Sequence, residues 1–101
     1  MSQVMVRYKV KPKQVAENEA LARGVYEALA AEPQEGLKYM TFKTEDGVTF
    51  VHIAIIETAD GSNPLPAMPA FQAFVKDLAA RCSEPPTAVE MALIGAYGLA
   101  D

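Results

Sequence analysis

Apolar and polar side chains alternate from Val4 to Val10, with Val4, Val6, Tyr8 and Val10 on one side and Met5, Arg7 and Lys9 on the other. That is the period of a β-strand. The period then lengthens: from Val15 to Leu29 the apolar residues Val15, Ala22, Val25, Tyr26 and Leu29 share one helical stripe, which Leu21 widens, and Pro12 suits a first helical turn. Asn18 lies within the stripe. It reads as an amide at the core edge with a local partner, the alternative being a polar group aimed at a site. Pro33 and Gly36 stop the helix.

Leu37 to Thr44 returns to a strand pattern, and Asp46-Gly47 predicts a tight two-residue hairpin loop into a third strand, Val48 to Glu57. With that loop Lys43 opposes Phe50, Thr41 opposes His52 and Tyr39 opposes Ala54, so these residues share one face. Met40, Phe42, Val51, Ile53 and Ile55 form the other face. Being the more purely hydrophobic set, they are expected to lie under the helices. Thr58 to Met68, TADGSNPLPAM, is a long connection that suits either a binding loop or a plain crossover. Pro69 then opens a second helix whose stripe is Phe71, Phe74, Val75, Leu78 and Cys82, with Pro85-Pro86 as its stop. Thr87 to Tyr97 predicts a fourth strand.

Strand, helix, strand, strand, helix, strand with a central hairpin is the split βαβ order of a ferredoxin-like α+β fold, an antiparallel four-stranded sheet with two helices on one face. The face left bare, expected to carry Tyr39, Thr41, Phe50, His52, Ala54 and Ile56, is too apolar to stay wet, which predicts a homodimer through that surface.

Composition narrows the partners. The 101 residues suit a single domain spanning 1–101, half of them apolar, with a formal net charge of -4 that disfavours nucleic acid and anionic lipid. The chain shows no signal-peptide core and no run of membrane-spanning length, and its one cysteine forms no internal disulfide, so a cytoplasmic location is expected. Cys82, on the helical stripe, is expected to be structural.

His52 is the chain's one histidine and the natural general acid or base near neutral pH. A buried, hydrogen-bonded strand histidine fits the same pattern. Tyr39 and Thr41 share its face and are placed to orient a phenol or ketone, with Phe50 as an apolar wall. Arg7, Lys9, Lys11 and Lys13 keep one parity and project as a positive stripe, with Arg7 the candidate anion contact and Lys11 and Lys13 a solvated strand end. One His and one Cys thirty residues apart give no metal-ligand spacing.

The chain resembles the antibiotic biosynthesis monooxygenase-like proteins of the dimeric α+β barrel superfamily. The resemblance rests on the element order, on MVRYKVKPK, TFVHIAIIETADG, PAFQAFVKDLAARC and LIGAY, and it spans nearly the whole chain. It implies a dimeric α+β barrel with a cavity between sheet and helices, used in some members for cofactor-independent oxidation of aromatic polyketides and in others for haem degradation. No tryptophan occurs here, whereas the better-known enzymes of the family rely on one. Two classes therefore follow: a small cofactor-independent monooxygenase or isomerase binding an aromatic or polyketide-like compound, and a non-catalytic small-molecule-binding or regulatory dimeric module.

Overall fold

A computed structural model describes residues 1–98. Strand β1 (Ser2–Val10) leads through a short 3-10 turn at Pro12–Gln14 into helix α1 (Val15–Ala31), and the chain returns as the hairpin β2 (Leu37–Lys43) and β3 (Thr49–Ile56). A second 3-10 turn, Leu65–Ala67, precedes helices α2 (Pro69–Lys76) and α3 (Leu78–Arg81), and β4 (Cys82–Met91) closes the sheet. The strands lie in the order β2-β3-β1-β4 and every pair is antiparallel. This is the ferredoxin-like α+β arrangement, with α1 and α2 packed against each other over one face of the sheet. No helix among the described residues is long and apolar enough to cross a membrane.

The hairpin keeps the expected register, pairing Thr41 with His52, Tyr39 with Ala54 and Lys43 with Phe50. Its loop is longer than two residues in effect, because the Gly47 amide donates to the Thr44 carbonyl at 3.0 Å and only Gly47 takes a positive φ, 78°. The Asp46 carboxylate holds the turn by accepting from the amides of Val48 and Thr49 and from the Thr49 hydroxyl. Gly36, at φ 83°, is required for space as well as conformation, since a Cβ there would meet the Glu57 carbonyl oxygen at 2.7 Å.

Three expectations are corrected. The helix-covered face is the one bearing Tyr8, Phe50, His52, Ala54 and Ile56, all buried, whereas Phe42 on the opposite face is 52% exposed. Hydrophobic purity pointed the wrong way because the polar groups on the covered face satisfy one another and are therefore inexpensive to bury. The second helical segment breaks at Asp77. The fourth strand spans Cys82–Met91, not Thr87 to Tyr97, and runs through Pro85-Pro86. It does so because β4 is an edge strand: the register shifts between Arg7 and Lys9, so that both prolines oppose Tyr8 in a bulge where no ladder amide is needed. Cys82 is buried as expected, at the start of a strand.

Candidate functional site

Tyr8 and His52 come from the two central strands and meet under the helices. Val6 lies opposite His52 and Tyr8 opposite Phe50, so strand alternation points Tyr8 and His52 to the same side. Their rings stack at 5.3 Å between centroids, and Phe74 of α2 closes over the imidazole at 5.2 Å. The Tyr8 hydroxyl lies 2.7 Å from His52 Nε2. On the other side of the ring, Nδ1 meets the Tyr39 hydroxyl at 2.8 Å and Thr41 Oγ1 at 3.0 Å, and Thr41 is joined in turn to the Tyr26 hydroxyl of α1 at 2.7 Å.

The network continues inward. Asn18 Nδ2 donates to the Tyr8 oxygen at 2.9 Å, Arg81 Nε donates to Asn18 Oδ1 at 3.0 Å, and Arg81 Nη2 donates to the Phe74 carbonyl at 2.6 Å. A continuous chain of polar groups thus crosses the core from a buried guanidinium to Tyr26, and among the described residues no buried side-chain nitrogen or oxygen lacks a partner. Satisfied networks of this kind hold one packing arrangement, whereas a broken one exposes the full desolvation cost of its members.

Burial sets the protonation states. It pushes the His52 pKa down to about 4, so the imidazole is neutral at pH 7. It pushes Tyr8 up to about 12, with the Asn18 hydrogen bond working in the opposite direction, and it raises Tyr39 as well. The site therefore presents neutral hydroxyl and imidazole groups in an apolar setting.

Beside this cluster lies a cavity of about 290 Å³ between the sheet and α2, walled by Val4, Val6, Ala54, Leu65, Phe71 and Leu78, with Tyr8, Tyr39 and His52 at its polar end. Asn63 and Leu65, from the long connection before α2, also border it, so the loop from Thr58 to Met68 helps to wall the cavity.

Of the residues expected at the site, His52, Tyr39 and Thr41 are brought together. Phe50 stacks on Tyr8 at 5.6 Å, but Phe50 and Thr41 border a separate cleft of about 260 Å³ beside α1, with Glu19, Arg23 and Lys43, and not the cavity itself. Arg7 is not at the site: it is exposed and pairs with Val51 on the opposite face of the sheet, because strand parity that brings Tyr8 inward sends its neighbour outward. The buried cation is Arg81 instead. Sequence reasoning also missed Tyr8, although its place in the alternation of Val4, Val6 and Val10 was visible, and it assigned Asn18 to the core edge when the amide is fully buried and bonded to both Tyr8 and Arg81.

No family model and no curated protein matches this chain. Solved structures do. An antibiotic biosynthesis monooxygenase superposes with a TM-score of 0.76 at 22% identity, over 94% of this chain and 100% of that one. A putative antibiotic biosynthesis monooxygenase from Nitrosomonas europaea gives 0.77 at 18% identity over 94% and 100%. A mutant of SnoaB, a cofactor-independent oxygenase from Streptomyces nogalater, gives 0.69 at 21% identity over 97% of both chains. The chain has the ferredoxin-like α+β fold of the antibiotic biosynthesis monooxygenase-like proteins.

Proposed function

We propose that this protein binds a small aromatic or polyketide-like compound in the cavity between sheet and helices and acts on it as a cofactor-independent monooxygenase, with His52 as the polar centre. The observation that carries this reading is the cavity of about 290 Å³, apolar on its walls and closed at one end by Tyr8, His52 and Tyr39. A flat, largely apolar molecule with one oxygen function fits that division of surfaces. Phe71 and Phe74 offer aromatic faces to a ring. Neutral His52 can take a proton from an acidic phenol or carbon acid by way of the Tyr8 hydroxyl, which borders the cavity and lies against Nε2. Tyr8 passes its hydrogen to Nε2 as it receives the ligand's, and the electron-rich anion so formed is the species that reacts with dioxygen without a cofactor. The oxygenase solved in the same fold supports this chemistry.

The working unit in this reading is a homodimer. The open sheet face carries Met5, Met40, Phe42, Val51, Ile53 and Val89, with Phe42 and Val89 among the exposed large hydrophobic residues, and a second copy is the most economical cover.

A second reading is favoured by one specific feature. Both nitrogens of His52 are already engaged by protein partners, and burial weakens its basicity, which suits a binding module whose ligand contact is the Tyr39 hydroxyl. Replacing His52 by Ala separates the two. With phenols and hydroxyquinones as probes and dioxygen uptake as the assay, loss of a general base lowers turnover by about 10²- to 10⁴-fold. A binding module shows no uptake in either form and loses only affinity. Unchanged affinity and unchanged rate would remove His52 from the site.

A further inference from the structure

The polar chain through the core has a direction, and its direction is set at one end. A guanidinium has hydrogen-bond donors and no acceptor. Arg81 Nε faces Asn18 at 3.0 Å, so the amide atom it meets is Oδ1, and the Asn18 NH₂ is turned toward Tyr8, 2.9 Å away. The Tyr8 oxygen therefore accepts, and its own hydrogen is free to point along its other short contact, to His52 Nε2 at 2.7 Å. Nε2 must then be the unprotonated nitrogen of the neutral ring. The ring hydrogen is left on Nδ1, where the oxygens of Tyr39 and Thr41 stand at 2.8 and 3.0 Å.

We propose that Arg81 and Asn18 are positioning residues that hold His52 as its Nδ1–H tautomer, so that the Tyr39 hydrogen is not spent on the imidazole and is available to an acceptor on the ligand. The ligand class follows. A group entering the cavity at Tyr39 meets a hydrogen-bond donor, and a carbonyl or phenolate oxygen satisfies it where an ammonium or an amide N–H does not. Asn18 and Arg81 do this without touching the cavity themselves: both are at least 96% buried by their exposures of 0% and 4%, and neither borders the cavity. This deepens the reading of His52 as the polar centre and adds two residues to the machinery around it.

The test uses the fact that the chain has one histidine. In ligand-free, tag-free protein labelled with ¹⁵N-histidine at pH 8, a long-range ¹H–¹⁵N correlation spectrum reports a single imidazole. The expected result is a pyrrole-type Nδ1 and a pyridine-type Nε2, in an excess of about fivefold for one net hydrogen bond. A wild-type spectrum with the hydrogen on Nε2 overturns the proposal, whatever any variant does. The second arm is Asn18→Asp, nearly the same shape, which keeps an acceptor for Arg81 but offers Tyr8 an acceptor in place of a donor. The Tyr8 hydroxyl then turns to the carboxylate and Nε2 must carry a hydrogen, so its resonance moves to the protonated range. A folded variant with Nε2 still unprotonated overturns the assignment of Asn18. Because no ligand is present, either result is independent of what the cavity binds.

Discussion

The two faces of the sheet bury different chemistry in opposite ways. The face under the helices mixes Tyr8, Tyr39, Thr41 and His52 with Phe50 and Ala54, and among the described residues its buried side-chain nitrogens and oxygens are all partnered. On the open face the hairpin contributes the purer apolar set, Met40, Phe42, Val51, Ile53 and Ile55, although Arg7 and Lys38 share that face, and Phe42 and Val89 stand 52% and 46% exposed. Apolar purity does not mark the inside of this molecule. A polar group can be buried at little cost when its partners are placed with it, whereas an apolar surface needs only some cover, and a second chain serves as well as a helix. In the proposed function the two faces have separate duties: the mixed face carries the candidate site, and the open face is the one proposed for association.

The largest effect tests the covered face. Phe74 touches Tyr8, His52 and Arg81 by ring or cation contact and is 3% exposed. Phe74→Ala should cost about 3–5 kcal/mol of stability, read as a lower urea midpoint. A loss below about 1 kcal/mol would mean that α2 is not the lid of the site.

Next in size is a pH effect confined to the same face. His52 in the folded chain has its pKa pushed down to about 4 from an ordinary 6.5, so the unfolded chain binds the extra proton first as pH falls. Stability from this group is fully present above about pH 6.5 and is lost as pH drops through that value toward 4. The whole linkage amounts to about 3 kcal/mol, and roughly 2 kcal/mol of it should disappear between pH 7 and pH 5. His52→Asn should flatten that slope, and a wild-type denaturation midpoint independent of pH across the interval would contradict a buried neutral imidazole.

The open face is broken differently. Ile53→Lys places a charge at the centre of that face, opposite Met40 and Met5, and should turn a dimer into a monomer by light scattering while leaving the His52 tautomer unchanged. A wild-type monomer at micromolar concentration would end the assignment of this face to association. The smallest effect is the contribution of one hydroxyl: acetophenone should bind more tightly than ethylbenzene by up to about tenfold, and Tyr39→Phe should erase the difference.

Much of this arrangement was legible in the chain. Parity around Asp46-Gly47 placed Tyr39, Thr41 and His52 together, because the observed turn keeps the pairing of a two-residue loop, with Thr44 bonded to Thr49 and Lys43 opposite Phe50; a loop with one residue more would have inverted the faces. The choice of face was not legible, since it depends on partners from distant elements: Asn18 lies on α1, Arg81 on α3, and they are 63 positions apart. Asn18 did leave a signal as a polar residue in an apolar stripe. Arg81 stands between Leu78 and Cys82 at the end of α3, where nothing in its local pattern distinguishes it from a solvated charge. The prolines misled in a physical way as well. Pro85-Pro86 ends a helix or a central strand, but a bulge on an edge strand has no amide to lose, and only the sheet order identifies β4 as an edge.

In the proposed function ligands enter the cavity beneath α2 and meet His52 and Tyr39. A crystal structure of the protein soaked with acetophenone or a naphthol tests it most directly. The ring is predicted between Phe71, Leu78 and Val6, with its oxygen within about 3 Å of the Tyr39 hydroxyl, the usual hydrogen-bond distance. Ligand seated only on the open sheet face, or in the cleft beside Glu19 and Lys43 with the cavity at His52 unfilled, would contradict it.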